Sequence, residues 1–401
     1  MDFSDQLFFD MLRTALRNSS SFGFVQLSDS DCRSIQKAGY AHGVLPLVAD
    51  AIWNYHSSDL SSACRSGLRR QAKELAVRQA YRTAEFMLLY QRLCEKGLQP
   101  IVMKGIICRN LYPKPELRAS TDEDLLIRRE ELPHYRKELL SYGLIEESIS
   151  DDEITFTNQA RGLIIELHLC PFPQKADAYG DCNRFFADTT EHTESVKINE
   201  VVFHTFCPTD HLLYMLLHMY KHFLYGGFGI RQICDTALFT EQNSSKINWQ
   251  FILSCCREQK IDLFTAAVFR IAENYLGFSM PEIFQNIITD EKPLLEDILS
   301  GGLYGVNDIN RAHSANITLD AVAAHKQGRI KAGVLRSLFP GKEYLQSQFS
   351  YAKVHPFLLP VAWTHRIFRY LRNEKGSTSA ETIRIGKKRV ELLKIYGIIT
   401  R

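Results

Sequence analysis

Apolar residues recur at intervals of three and four in the two outer parts of the chain. One such stretch, "LRRQAKELAVRQAYRTAEFMLLYQRLCEKG" at 68–97, has the spacing of an amphipathic helix and belongs to a helical region over 1–98. The same spacing returns after Pro208 with "TDHLLYMLLHMYKHFLYGG" and continues through most of the residues that follow. Both outer parts are therefore predicted to be helical.

Short apolar runs separated by polar residues, glycine and proline replace this spacing in the middle of the chain, a pattern typical of strands. The first run, "PIVMKG", ends at Gly105, and the next, "DEDLLI" at 122–127, follows the loop "PKPELRAST". An amphipathic helix, "REELPHYRKELLSYG", is predicted after it. Further strands are predicted at "LIEESI", "EITFTN" and "GLIIELHL", with a hairpin in "ESVKINEVVFHTF" that turns near Asn199 and Glu200.

This alternation predicts an α+β fold, in which a small mixed β-sheet is flanked by N-terminal and C-terminal helical domains. The tail of the chain, 365–401, carries ten Lys and Arg residues against three Glu. A solvated helical tail and a tail that binds phosphate or a partner both fit this charge. The predicted units are 1–98, 99–206, 207–300, and a helical or loop region with the basic tail at 301–401.

The composition is that of an ordinary globular protein of 401 residues, 45% hydrophobic and 23% charged. Its formal net charge of +2 gives no strong field, so no long nucleic acid is expected as a partner. Ten cysteines lack metal-ligand spacing and are expected to be reduced thiols of a cytoplasmic protein. The N-terminus has acids where an export signal has basic residues, and no apolar run approaches the roughly 18 residues of a membrane span.

Two carboxylates stand at the start of the predicted strand at 122–127. Side chains alternate along a strand, so Asp122 and Asp124 are expected on one face and Glu123 on the other. Two carboxylates on one face can share a divalent cation, and oxygen donors suit Mg²⁺. Exposed aspartate pairs at strand ends are also common without a metal, so the pair by itself leaves both interpretations open.

Neighbouring features favour a site for metal and phosphate. Glu166 lies inside the apolar strand "GLIIELHL", where a bare buried carboxylate is costly, so it needs a partner or a metal, or else faces solvent from an edge strand. Gly105 ends the strand "PIVMKG", where a backbone can approach a phosphate closely. Lys104 and Arg118 flank the acids in sequence and could balance phosphate charge, although both also fit as ordinary surface cations.

The segment "MKGIICRNLYPKPELRASTDEDLLI" at 103–127 resembles a bacterial family, the uncharacterised nucleotidyltransferases, whose fold is of the DNA polymerase β type. "IIELHL" and "TDHLLYMLLHMYKHFLYGGFGIRQICDTALF" are similar to later segments of that family, and the resemblance covers roughly 30–300. It implies a nucleotidyltransferase core in the predicted sheet. A sugar transferase also uses two spaced aspartates, but it would need a longer nucleotide-binding half before them, and here only helices precede residue 98.

The resemblance implies that Asp122 and Asp124 hold Mg²⁺, or Mn²⁺, and that Glu166 completes the site or acts as base toward an acceptor hydroxyl. Gly105 would lie under the nucleotide phosphates. The reaction would move a nucleoside monophosphate from an NTP, with AMP from ATP favoured, and release pyrophosphate. The sequence does not name the acceptor, for which a small molecule, a peptide, a protein and an RNA end are all open.

Histidines recur on one face of the helix predicted after Pro208. His211, His218 and His222 are seven and four residues apart, which fits a metal site but is more typical of packed core histidines. The resemblance implies instead that this helix covers the catalytic cleft, where Lys221 or His222 would meet phosphate.

The chain departs from the family pattern in three places, one of which is the approach "RASTD" to the first aspartate, where the family's proline and glycine are missing. Ile106 stands where the wider superfamily has a serine, and Glu123 stands where the residue between the aspartates is usually apolar. The predicted metal ligands are retained, but a serine hydroxyl for the phosphate is missing. A catalytically inactive protein that binds a nucleotide or a partner is therefore the alternative to an active nucleotidyltransferase.

Overall fold

The computed structural model describes residues 3–17, 26–189, 191–305, 309–328, 358, 360–362, 364 and 379–400. Residues 365–378, which form the first part of the predicted basic tail, lie outside these ranges. Within the ranges given, no helix is both long enough and apolar enough to cross a membrane.

The helices that precede the sheet begin at serine caps in two cases. Ser28 accepts a hydrogen bond from the Asp31 N–H, and the Asp31 carboxylate accepts one from the Ser28 N–H, so two backbone donors at the helix start are satisfied. Ser61 accepts a hydrogen bond from the Cys64 N–H in the same way. These helices are α1 (Phe3–Arg17), α2 (Asp29–Ala41), α3 (Leu45–His56) and α4 (Ser62–Glu95).

Seven strands in the described residues form one sheet. They are β1 (Ile101–Val102), β2 (Glu123–Leu126), β3 (Ile145–Ile149), β4 (Glu153–Asn158), β5 (Leu163–His168), β6 (Thr193–Ile198) and β7 (Val201–Phe206). Their spatial order is β3-β4-β5-β2-β1-β7-β6. β1 pairs with β7 and β2 pairs with β5 in parallel, whereas the other neighbours are antiparallel. The sheet is mixed, and the predicted α+β fold class is confirmed.

The remaining helices lie between the strands or follow them. Between strands lie α5 (Gly105–Arg109) and α6 (Leu132–Ser141). After β7 come α7 (Pro208–Tyr225), α8 (Ile230–Asn243), α9 (Trp249–Glu258), α10 (Asp262–Leu276), α11 (Glu282–Gln285), α12 (Lys292–Gly301), α13 (Ile309–Lys326) and α14 (Ser379–Ile395).

The two faces of the sheet meet different cores. Because side chains alternate along a strand, Val102, Leu125 and Ile165 share one face, and they pack in a cluster with Phe86 and Leu89 of α4. Residues of α5 and α6 complete this smaller core. The long helix α4 therefore holds the sheet on the side away from the C-terminal helices.

The opposite face of the sheet meets a larger core. Met103, Leu126 and Phe206 belong to a cluster that extends from Leu7 of α1 to Leu392 of α14. The N-terminal and C-terminal helical flanks, predicted as separate units, thus share one core. The predicted unit boundaries within the chain stay a prediction.

The C-terminal end of α7 is held by side chains of the last helices. Arg389 of α14 donates to the carbonyl oxygens of Phe223 and Tyr225, and Arg311 of α13 donates to that of Gly226. The last carbonyls of a helix lack intrahelical partners, and these buried guanidinium groups satisfy them. We call this set of contacts the α7 clamp. It fixes the end of the helix that was predicted to cover the cleft.

Candidate active site

The pairing of β2 with β5 creates the candidate site. The two strands run parallel, with Asp124 opposite Glu166 and Leu126 opposite His168. Residues two apart on a strand share a face, so Asp124, Glu166 and His168 project from the same side of the sheet. Two short stretches that are distant in sequence thus bring their polar side chains together.

Asp124, Glu166 and His168 form a compact group of possible metal ligands. One donor atom from each residue lies within 4.8 Å of the other two. His168 Nε2 is 3.3 Å from Asp124 Oδ1 and 3.6 Å from Glu166 Oε2. Carboxylate oxygens suit Mg²⁺ and Mn²⁺, and imidazole suits the later transition metals, so the donor set fits a divalent ion without selecting one.

Glu153 on β4 supports His168 from the side away from these ligands. The antiparallel register puts Glu153 opposite His168, and its Oε2 lies 3.6 Å from His168 Nδ1. Metal-binding histidines commonly have a carboxylate beside the second ring nitrogen, where it orients the ring and raises its basicity. The fit to a metal therefore extends beyond the three ligands.

Charge holds this group together in the structure. Burial alone would lower the pKa of His168, but the Asp124 and Glu166 carboxylates raise it to about 9. Burial alone would raise the pKa of Asp124, but Lys104 and His168 hold it below its usual range. A metal ion would displace the histidine proton, because a ligating imidazole nitrogen must be unprotonated.

Lys104 joins the group to α7. Its Nζ lies 3.1 Å from Asp124 Oδ2 and 2.9 Å from His218 Nε2. Burial alone would lower the pKa of Lys104, but Asp124, with a smaller contribution from Asp122, raises it above its ordinary value. Burial and the Lys104 charge hold the pKa of His218 well below its ordinary value, so the neutral imidazole accepts the hydrogen bond. Lys104 is thus a charged side chain at the centre of the site.

The face of α7 that meets the site carries further polar residues. His222 Nε2 lies 3.3 Å from His218 Nε2, and the His222 ring centroid lies 4.6 Å from that of Tyr304. Burial and the Lys104 charge lower the pKa of Lys221, while the carboxylates of the site act on it in the opposite direction. The helix that was predicted to cover the cleft is therefore the wall that faces the carboxylates.

The remaining histidine of this helix face belongs to the core. His211 is almost fully buried, its Nδ1 lies 3.1 Å from Thr205 Oγ1, and its ring centroid lies 4.7 Å from that of Phe239. Burial lowers the pKa of His211 to about 3. Of the three spaced histidines, one is a packed core residue and two line the site.

The opposite face of β2 carries Glu123, as strand alternation predicts. Its carboxylate pairs with the buried Arg109 and accepts a hydrogen bond of 2.9 Å from the Ile106 N–H. Gly105 has a φ of +42° and packs so closely that a Cβ there would overlap the Glu123 carboxylate. Two of the three departures from the family pattern, Ile106 and Glu123, are therefore in direct contact. A side-chain carboxylate binds the backbone of the turn where Gly105 was expected to meet phosphate.

Arg118 is engaged by other groups of the protein. Its Nε and Nη2 donate to the two carboxylate oxygens of Asp235 on α8, each at 2.7 Å, and its Nη1 lies 3.4 Å from the Gly105 carbonyl oxygen. Burial alone would raise the pKa of Asp235, but Arg118 lowers it. Arg118 thus ties the loop before β2 to α8 and to the Lys104–Gly105 turn. Its predicted contact with a nucleotide stays a prediction.

Among the predicted site residues, the structure brings together Asp124, Glu166 and Lys104, and His222 adjoins them through His218. Asp122 lies directly before β2 and acts on Lys104 through its charge, but it is not one of the three clustered donors. His168, which sequence analysis did not single out, is the third donor. A signal for it was present, because the alternation that relates Asp122 to Asp124 also relates Glu166 to His168 in "ELH".

The match to a protein family defines the class of this protein, a nucleotidyltransferase. The chain belongs to the uncharacterised nucleotidyltransferase family, whose model matches residues 28–277. The match includes the whole sheet, α7 and all the clustered donors. No curated protein and no solved structure matches the chain. The resemblance that the "MKGIICRNLYPKPELRASTDEDLLI" segment carries is confirmed.

Proposed function

We propose that the protein transfers a nucleoside monophosphate from an NTP to an acceptor hydroxyl and releases pyrophosphate. ATP is the favoured donor, and Mg²⁺ or Mn²⁺ is the favoured cofactor. The observation that carries the proposal is the group of Asp124, Glu166 and His168 beside the charged Lys104. Metal ligands next to a fixed cation suit the binding of a metal–triphosphate complex.

Asp124, Glu166 and His168 are the residues that would hold the metal, and Asp122 at the start of β2 is the candidate for a further ligand. When bound, the metal neutralises negative charge on the phosphate oxygens. Glu153, 3.6 Å from His168 Nδ1, keeps the histidine ring oriented toward the carboxylates.

Lys104 supplies the positive charge nearest to these ligands. Its ammonium group would bind a non-bridging phosphate oxygen of the donor, while Lys221 and His222 line the opposite wall on α7. Negative charge moves onto the leaving pyrophosphate during transfer. Cations that are already in position stabilise this change more than they stabilise the bound substrate.

Glu166 is the candidate base toward the acceptor. Its side chain is 26% exposed, which leaves the carboxylate within reach of a hydroxyl group that enters the cleft. The acceptor proton moves to Glu166 as the acceptor oxygen forms a bond to the α-phosphorus. The bond from the α-phosphorus to the bridging oxygen breaks, and pyrophosphate leaves with that electron pair.

Metal-dependent release of pyrophosphate tests the proposal. Each of the common NTPs would be incubated with Mg²⁺ or Mn²⁺ and a panel of small hydroxyl compounds, peptides and the protein itself. We expect release with ATP and an added mass of AMP on one acceptor. The Asp124→Asn/Glu166→Gln double variant is the control and should release none. Equal release by wild type and double variant would overturn the site assignment.

A second candidate function is nucleotide binding without transfer. The observation that favours it is the Glu123 carboxylate on the Ile106 N–H, because this backbone donor of the Lys104–Gly105 turn is used within the protein and not by a phosphate. Metal-dependent binding of a non-hydrolysable ATP analogue, without pyrophosphate release from any NTP, would select this function over the enzyme.

A further inference from the structure

We propose that Tyr304 forms the part of the cleft wall against which the nucleobase of the bound nucleotide stacks. Tyr304 belongs to the turn "GGLYG" at 301–305, which lies beyond the residues that the family model matches. The inference rests on the proposed function and adds a nucleobase-binding residue to it.

The turn holds Tyr304 in an uncommon backbone conformation. Its φ of 58° and ψ of 19° lie in the left-handed region, which costs energy for any residue other than glycine. Gly302 and Gly305 have positive φ on either side, and a Cβ at Gly305 would come within 2.5 Å of the Gly226 carbonyl oxygen. Close packing against the end of α7 therefore fixes the backbone from which the Tyr304 side chain projects.

The ring lies at the far end of a row of side chains that starts at the metal ligands. Its centroid is 4.6 Å from that of His222, and its hydroxyl is 3.4 Å from Arg231 Nη2. The row runs through Asp124, Lys104, His218, His222 and Tyr304.

The two ends of this row differ in chemistry. Lys104 and the carboxylates at one end suit a triphosphate and its metal. Tyr304 at the other end is 37% exposed, so part of an apolar aromatic surface remains open beside His222. The face of a phenol ring is electron-rich and does not attract phosphate, whereas a purine or pyrimidine ring stacks on it favourably. The nucleobase is therefore the part of the nucleotide that fits Tyr304.

Binding measurements with two probes separate the base from the phosphates. The probes are the α,β-methylene analogue of ATP and inorganic triphosphate, each titrated by calorimetry in the presence of Mn²⁺. Tyr304→Ala should weaken binding of the analogue about tenfold or more, since it removes a base–aromatic stack. The same variant should bind triphosphate within about twofold of wild type. Tyr304→Phe keeps the ring and should bind both probes as wild type does.

A matched control is Tyr55→Ala, which removes a tyrosine of similar exposure, 42%, from α3. It should leave both affinities unchanged. Equal weakening of both probes by Tyr304→Ala, or no weakening of either, would overturn the stacking role. Failure of wild type to bind either probe would overturn the proposed function along with it, whereas binding of triphosphate alone would overturn only the nucleobase contact.

Discussion

Two neighbouring residues of β2 carry carboxylates into opposite surroundings. Glu123 points into the smaller core, where the Arg109 guanidinium and a backbone N–H use its oxygens. Asp124 points toward α7, where it is grouped with Glu166 and His168. Both side chains belong to residues that are 5% exposed, so burial does not distinguish them. Their partners do.

On the side of the smaller core, which we call the closed side, each Glu123 oxygen has a fixed donor within the protein. The Glu123–Arg109 pair there stabilises the fold. On the side that faces α7, which we call the open side, the two Asp124 oxygens lie near Lys104 and His168, whereas Glu166 and Glu153 have side chains that are 26% and 31% exposed. A site for a cation needs acceptors that the protein has not already satisfied. The contrast across one strand thus separates a structural carboxylate from a ligand.

The largest effect is expected from a change on the closed side. Glu123→Gln keeps the side-chain shape but leaves Arg109 charged and buried, and removal of one partner of a buried pair costs roughly 3–5 kcal/mol. Urea denaturation should reveal a loss of this size in the free energy of unfolding. Pyrophosphate release per folded molecule should change little. A variant as stable as wild type would contradict the structural role.

Asp124→Asn is the matched change on the open side. Loss of a ligand carboxylate should lower turnover about 10²–10³-fold, as expected when a charge contact in the transition state is removed. Added Mn²⁺ should raise the Tm of wild type but not that of the variant, because a ligand stabilises only the state that binds it. An equal loss of turnover in folded Glu123→Gln would abolish the distinction between the two faces.

The pKa of His168 predicts how the free energy of unfolding depends on pH. Its pKa of about 9 lies above its ordinary value of 6.5, so its bound proton stabilises the fold below about pH 6.5 and this contribution is lost as pH rises through 9. The shift corresponds to about 3 kcal/mol. In chelator-treated protein, the difference in free energy of unfolding between wild type and His168→Gln should shrink between about pH 6 and about pH 9.5. A difference that grows with pH would contradict the protonated histidine.

Glu153→Gln tests the outer support of the metal ligands. Loss of the carboxylate beside His168 Nδ1 should weaken Mn²⁺ binding about 10- to 100-fold, the usual effect of changing an outer partner of a metal-bound histidine. The Tm without metal should stay close to that of wild type, because the side chain is partly exposed. Unchanged Mn²⁺ affinity in calorimetry would show that Glu153 does not orient the ring.

The smallest effect is expected at the wall that faces the open side. Lys221→Ala should weaken NTP binding by less than about tenfold, since a partly exposed charge contact contributes about 1 kcal/mol or less. Its Tm should be nearly unchanged. Lys246→Ala removes an exposed lysine paired with Glu194 and should alter neither property. A loss of stability with unaltered nucleotide affinity would instead make Lys221 a packing residue.

The strands could be predicted because polar breaks separate them so clearly. β4 spans Glu153–Asn158, the same residues as the run "EITFTN", and the predicted hairpin turns at Asn199, whose φ of 52° suits asparagine. Asp124 and Glu166 could be predicted because a carboxylate within an apolar run demands a partner. Local sequence carries both kinds of signal.

The pairing of distant residues could not be predicted in this way. Glu153 begins a strand and resembles a solvated end, and only the register with β5 puts it opposite His168. Arg118 has the charge that a phosphate contact needs, but its partner Asp235 is 117 residues away. A cation's sequence neighbours do not tell whether a phosphate or a carboxylate will neutralise it.

The end of α7 gains its partners late while the chain is synthesised. Arg389 is 166 residues from Phe223 and 164 from Tyr225, and Arg311 is 85 residues from Gly226. At about 5–20 residues per second, the ribosome adds Arg389 on the order of 10 seconds or more after α7. Contacts between such distant residues also form late in folding, because a long loop must close first. A nascent chain therefore contains its clustered acidic ligands before α14 can bind the end of α7, so the α7 clamp can be completed only after α14 has been synthesised.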